Sequence, residues 1–147
     1  MAVEVSTEFD INAPLSVVMD VLKDIDALPD WSSAHKSAKV LSTHEDGTPD
    51  HAEVSVGLAG INDTQELAYS WTDTTCTWDL VSSGQLSSQH GQYTLAAVSD
   101  DKTHVRMDLA IDLKIKLPGL IVKRGQKAAA ETAKKGLTAE AERRAKA

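Results

Sequence analysis

Cysteine, cationic charge and long apolar runs are all scarce in this chain, and each scarcity removes a class of protein. One cysteine, Cys76, in 147 residues allows no internal disulfide and fits a reducing compartment. Lys and Arg number 15 against 22 Asp and Glu, a net charge of −7, whereas a nucleic-acid surface needs clustered cations. No apolar run approaches the length that spans a bilayer, so no transmembrane segment is expected. No basic, apolar leader precedes Val3-Glu4-Val5, and cytoplasmic residence is the expectation. Gly57 and Gly60 lack a following helix, which leaves no phosphate-cradling loop. There is no internal repeat, and the one biased stretch is the Ala-rich charged tail after Leu137.

What is present is an ordinary apolar content, which at this length supports one domain over residues 1–147 with a real core. Val3, Val5, Thr7, Phe9 and Ile11 alternate with Glu4, Ser6, Glu8 and Asp10, which predicts a strand over about 3–12. Pro14 opens a stretch of two short helices over 14–30, with Leu15, Val18, Met19 and Leu22 buried and Asp24 as the second N-cap. Six strands follow over 36–117, in segments 36–44, 51–58, 64–72, 75–81, 88–98 and 103–117. The tight turn Asp73-Thr74 sets Trp71 opposite Cys76, Tyr69 opposite Trp78 and Leu67 opposite Leu80, all on one face. Pairing Val98 with His104 would bring Tyr93 beside Leu109 and Leu95 beside Met107.

After Pro118-Gly119 the period changes to 3.6, predicting a long helix over 119–144. Lys123, Arg124, Lys127, Glu131, Lys134, Lys135 and Glu142 gather on one side. The opposite stripe is Ile121, Gly125, Ala128, Ala129, Thr132, Gly136 and Ala139, nearly all small. A core-filling helix would carry Leu, Ile or Phe there, and each interior Gly costs about 1 kcal/mol relative to Ala. Either the helix lies unusually close to the sheet, or space is kept above the sheet for something that is not protein.

The inward parity of the strands defines the walls of such a space. Val54, Val56 and Leu58 supply one strand, and Gln65, Leu67, Tyr69 and Trp71 the next. Trp78, Gln89, Tyr93, Met107 and Leu109 continue the face, Trp31 stands at its side, and the helix stripe closes it. Thr7, Gln65, Tyr69, Cys76, Gln89, Tyr93 and Thr132 are its polar groups, with no charged residue of the central strands among them. Apolar walls with a few placed hydrogen-bonding groups describe a ligand pocket. Tyr69 and Tyr93 are the candidate catalytic donors, but no base accompanies them. Packing with a satisfied hydroxyl is the plainer role for both, as anchoring is for Trp31.

His44 and His51 flank the Asp46-Gly47 hairpin beside Glu45 and Asp50, without the spacing of a zinc site, so no metal and no cofactor is expected. His90 and His104 point outward, and His35 falls in a loop. Asp24, Asp26 and Asp30 are explained by capping and solvation, and Cys76 by burial.

The order strand, two short helices, six meandering strands, long helix resembles the START-like (SRPBCC) superfamily and its helix-grip fold. The resemblance is carried by Ile11-Asn12-Ala13-Pro14, Asp26-Ala27-Leu28-Pro29-Asp30-Trp31, Asp46-Gly47-Thr48-Pro49 and Pro118-Gly119. It is similar above all to the bacterial polyketide cyclase/dehydrase branch, including small actinobacterial members. The resemblance implies an α+β fold: a seven-stranded curved antiparallel sheet with the long helix over its concave face. It implies a cavity for lipids, polyketides or other hydrophobic molecules, entered between the 59–63 loop, the 82–87 loop and the start of the long helix. Three functions follow from it. The first is binding or carrying a small hydrophobic ligand, as a monomer or weak dimer. The others are a polyketide cyclase or dehydratase, and a regulatory protein-interaction module. Fold alone does not choose among them.

Overall fold

Alternating apolar and polar residues become paired strands in the computed structural model, which describes residues 1–58 and 60–147, with only the backbone described at Leu58 and Ile61. Strand β1 (Ala2–Ile11) leads into α1 (Leu15–Lys23), a 3-10 turn (Ile25–Ala27) and the single-turn α2 (Leu28–Trp31). Then come β2 (His35–Thr43), β3 (Pro49–Leu58), β4 (Ile61–Trp71), β5 (Thr75–Ser83), β6 (Leu86–Ser99) and β7 (Lys102–Leu113). Helix α3 (Gly119–Ala145) closes the chain. The seven strands form one sheet in the order β1-β7-β6-β5-β4-β3-β2, with every neighbour antiparallel.

The β4–β5 register is the expected one, with Trp71 opposite Cys76, Tyr69 opposite Trp78 and Leu67 opposite Leu80. The β6–β7 register differs by two: Tyr93 faces Met107 and Leu95 faces Val105. A bulge between Ala97 and Ser99 leaves Val98, which is exposed, out of the pairing. A slip of two keeps every side chain on its face, so the inward row is the same. Strand β7 ends at Leu113, four residues early, because β1 begins at its Asp112 partner and no neighbour continues the ladder. Strand β4 begins early, at Ile61, and draws Asp63 out of the expected loop onto the inward row.

Asp24 precedes the 3-10 turn but makes no capping bond. Its carboxylate instead accepts from Arg144 Nη2 at 2.9 Å, and Arg144 Nε donates to the buried Glu140 at 2.8 Å. This network ties the end of α3 to the end of α1. Nearby, Thr103 Oγ1 donates to the Ala13 carbonyl at 2.8 Å inside the core. Ile11, Val18, Val21, Val105 and Leu137 are fully buried around it. The solid core therefore lies where α1 and the C-terminal part of α3 meet the sheet. No helix among the described residues is long and apolar enough to cross a membrane.

Candidate functional site: a cavity under the first half of the long helix

The inward side of α3 keeps Ile121, Gly125, Ala129, Thr132 and Gly136 of the expected stripe and is wider than it. Val122, Gln126, Ala133, Leu137, Glu140 and Ala141 face the sheet or the cavity, while Ala139 is exposed. Ala128, expected in the cavity wall, lies outside among Arg124, Lys127, Glu131 and Lys135. At Gly136 the helix comes so close to α2 that an added Cβ would stand 2.0 Å from the Trp31 carbonyl oxygen. Before Ala133, by contrast, no helix residue is fully buried. There Ile121, Gly125, Ala129 and Thr132 roof a cavity of about 270 Å³.

The sheet supplies the floor. Val56, Gln65, Leu67, Tyr69, Trp78, Gln89, Tyr93, Met107 and Leu109 line it, together with Cys76, and Trp31 stands at one side. Three expected wall residues are elsewhere or undescribed. Val54 is enclosed by the solid core and has no cavity surface. Trp71, at the end of β4, stacks on Tyr69 at 5.7 Å and gives its Nε1 proton to the Pro49 carbonyl. The Leu58 side chain lies outside the described residues. Thr7 shares the parity but does not reach the cavity.

The aromatic cluster is held by a local device. Gly91 faces Trp78 across the β5–β6 pairing, and a Cβ there would stand 2.0 Å from the indole. The indole lies in the space that glycine leaves, 5.7 Å from Tyr93 and 6.2 Å from Tyr69. Trp78 Nε1 donates to Gln89 at 2.9 Å, Gln89 Nε2 to Gln65 at 2.9 Å, and Gln65 Nε2 to Asp63 at 3.0 Å. Ser83 Oγ and the Gly84 amide also donate to Asp63. Partial burial raises the Asp63 carboxyl, but the bonds from Ser83, Gln65 and Gly84 outweigh it and hold the group below the usual carboxylate range.

Two ionisable lining residues, Asp63 and His35, escape sequence reasoning. Asp63 falls in an expected loop, although its odd parity matches Gln65 and Leu67. His35, also expected in a loop, opens β2 and lines the cavity, with Nδ1 2.7 Å from Ser32 Oγ. Burial pushes the imidazole down to about 4, so it is neutral near pH 7. Its sequence signal is faint: a lone His between the end of the second helix and the next strand. Burial also raises the Tyr69 and Tyr93 phenols and the Cys76 thiol, so all three stay protonated. Trp31 Nε1 is sealed without a partner.

The remaining histidines are on the outer side. His104 bridges Glu8 and Asp10, His90 pairs with Asp79, and His51 with Glu66. His44 Nε2 lies 2.8 Å from the Tyr69 carbonyl oxygen and 3.6 Å from the Asp50 carboxylate, whose same oxygen is 3.9 Å from His51 Nε2. No group of His, Cys, Asp and Glu among the described residues is arranged to hold a metal.

An open seven-stranded antiparallel sheet, short helices after its first strand, and a long terminal helix over a cavity define the START-like helix-grip class. A START superfamily protein from Mycobacterium smegmatis has this fold at TM-score 0.80 and 22% identity, over 97% of each chain. The Zhui aromatase/cyclase of Streptomyces sp. R1128 has it at TM-score 0.79 and 15% identity, over 98% of this chain and 96% of that one. A Thermus thermophilus protein follows at TM-score 0.77 and 21% identity, over 97% of this chain and 96% of that one. Residues 11–138 match the family of polyketide cyclases, dehydrases and lipid transport proteins, and the chain belongs to that family. A search among curated protein sequences finds no significant match.

Proposed function

We propose that the chain binds or carries a small hydrophobic molecule in the cavity between the sheet and α3. The supporting observation is the cavity itself, about 270 Å³ and walled mainly by apolar side chains with no Lys or Arg among the described lining residues. Its volume lies just below the roughly 300–1,000 Å³ range of small-molecule sites. A lipid or polyketide-like metabolite fits the apolar walls. Native mass spectrometry of purified protein, followed by organic extraction, is expected to find a bound apolar species of one defined mass. Uptake of no apolar probe by extracted protein would overturn the reading.

A second reading, a cyclase or dehydratase, is favoured by His35. His35 brings an imidazole, neutral near pH 7, to a cavity wall where strand parity offers no base, and the burial that pushes it down to about 4 also makes it a weak one. In this reading it takes a proton from a carbon between two carbonyls, and a tyrosine hydroxyl donates to the enolate oxygen. One structural neighbour is an aromatase/cyclase, which lends the reading a precedent in the fold. With a poly-β-ketone thioester analogue, His35→Gln should abolish turnover while leaving apolar-probe binding intact. Absence of turnover in the unmodified protein leaves binding as the function.

A further inference from the structure

Tyr69 and Tyr93 are 6% and 8% exposed, yet both line the cavity. Neither hydroxyl bonds to any described protein group. Among the described residues the one side-chain polar atom both sealed and unpartnered is Trp31 Nε1. The two hydroxyls are therefore unpartnered but not sealed, and the space they open into is the cavity. Their rings are fixed by aromatic contacts, Tyr69 stacked on Trp71 at an interplanar angle of 11° and Tyr93 tilted against Trp78 at 40°. The donors are thus positioned before anything binds, which lowers the entropic cost of using them.

Several of the other polar groups are already engaged. Gln65, Gln89, Trp78 and Asp63 satisfy one another, and His35 Nδ1 is taken by Ser32. The tyrosine pair supplies the unpartnered hydroxyls of the inner wall, beside the unpartnered His35 Nε2. A hydroxyl facing an apolar site without a partner is unfavourable, and an oxygen on the occupant removes that deficit. The sign of charge is constrained as well. No described cation lines the cavity, and the single acidic lining residue is Asp63. A carboxylate occupant would lose its hydration and meet only Asp63 in return.

We infer that the cavity selects an uncharged apolar molecule carrying a carbonyl or hydroxyl oxygen, and that Tyr69 and Tyr93 hold that oxygen. The inference rests on the cavity being a binding site, as proposed above, and adds the chemistry of the occupant. It sets neutral ketones, alcohols and esters above fatty-acid anions and plain hydrocarbons.

The test uses N-phenyl-1-naphthylamine, an uncharged probe that brightens in apolar sites, displaced at pH 7.5 by decan-2-one, decan-1-ol, decane or decanoate. The ketone and alcohol should displace it best and decanoate worst. Tyr69→Phe and Tyr93→Phe, which keep the ring and remove one oxygen, should each weaken the ketone and alcohol about three- to tenfold, the loss of one neutral hydrogen bond. Decane should change less than twofold. If the probe does not enter at all, the binding-site reading itself fails. If it enters but decanoate displaces it as well as the ketone does, the proposal is wrong and the cavity remains. The same holds if the doubly substituted protein, folded by its near-ultraviolet circular dichroism, binds the ketone unchanged.

Discussion

The two halves of α3 cover one sheet and do opposite things. The later half carries all of the helix's buried residues, Ala133, Leu137, Glu140 and Ala141, and touches α2 at Gly136. The earlier half has none, and Ile121, Gly125 and Ala129 stand over open volume. A stripe of small residues therefore has two physical meanings within one element. Near Gly136 it permits close approach, and near Ala129 it leaves room. The difference comes from what faces it. Ile11, Val18 and Val105 pack with Leu137 in the solid core, whereas Leu22 of α1 and Leu28 and Trp31 of α2 stop at the wall of the cavity.

The sharpest break of this contrast is truncation. Leu137→Ala removes a fully buried side chain from a packed region and should cost about 2–5 kcal/mol. Ile121→Ala removes a partly exposed side chain that already borders a cavity, and should cost less than about 1 kcal/mol. Urea unfolding of both variants measures the difference. Equal losses would mean that the two halves are packed alike.

A pH effect of comparable size belongs to the hollow half. His35 is neutral in the folded protein down to about pH 4, while the unfolded chain takes up a proton near 6.5. Its contribution is complete above pH 6.5 and is lost as the pH falls towards 4, by up to about 3 kcal/mol. The half-buried His51 and His104 on the outer side act in the other direction. Bonds from Glu66, and from Glu8 and Asp10, raise them, so their contributions fade as the pH rises through the raised values. The difference between wild-type and His35→Gln unfolding midpoints across pH 4–7 isolates the buried group. A difference that does not vary with pH would place His35 in contact with water.

Much of this architecture is written in periodicity, and the parts that are not have identifiable reasons. Strand identity and the inward face are legible because one face is apolar and a slip of two does not change it, as β6 and β7 show. The wall formed by Tyr69, Trp78, Tyr93 and Met107 follows from the same parity. Strand ends are not legible. Pairing partners fix them, so β7 stops early and β4 starts early, bringing Asp63 and its polar chain inward. The helix stripe is legible in Ile121, Gly125, Ala129 and Thr132 but wrong at Ala128 and Ala139, because small residues and Lys give a weak amphipathic signal. Leu137 sits inside and Ala139 outside for reasons of packing that composition does not carry. His35 is hidden by its position, at a junction where neither period applies.

The smallest stability effect is expected from the change that should matter most for binding. Gly136→Ala places a methyl 2.0 Å from the Trp31 carbonyl oxygen, and backbone must move. Overpacking of this kind costs about 1–3 kcal/mol and outweighs the roughly 1 kcal/mol that alanine adds to a helix. Ala129→Leu adds far more volume, but into the cavity, and should shift stability by less than about 1 kcal/mol. The same leucine should abolish N-phenyl-1-naphthylamine fluorescence, whereas Gly136→Ala should leave the probe bound. Thermal unfolding and probe titration on the two proteins read both quantities. A leucine at 129 that destabilises as strongly as the alanine at 136 would show that the space above the sheet is filled by protein.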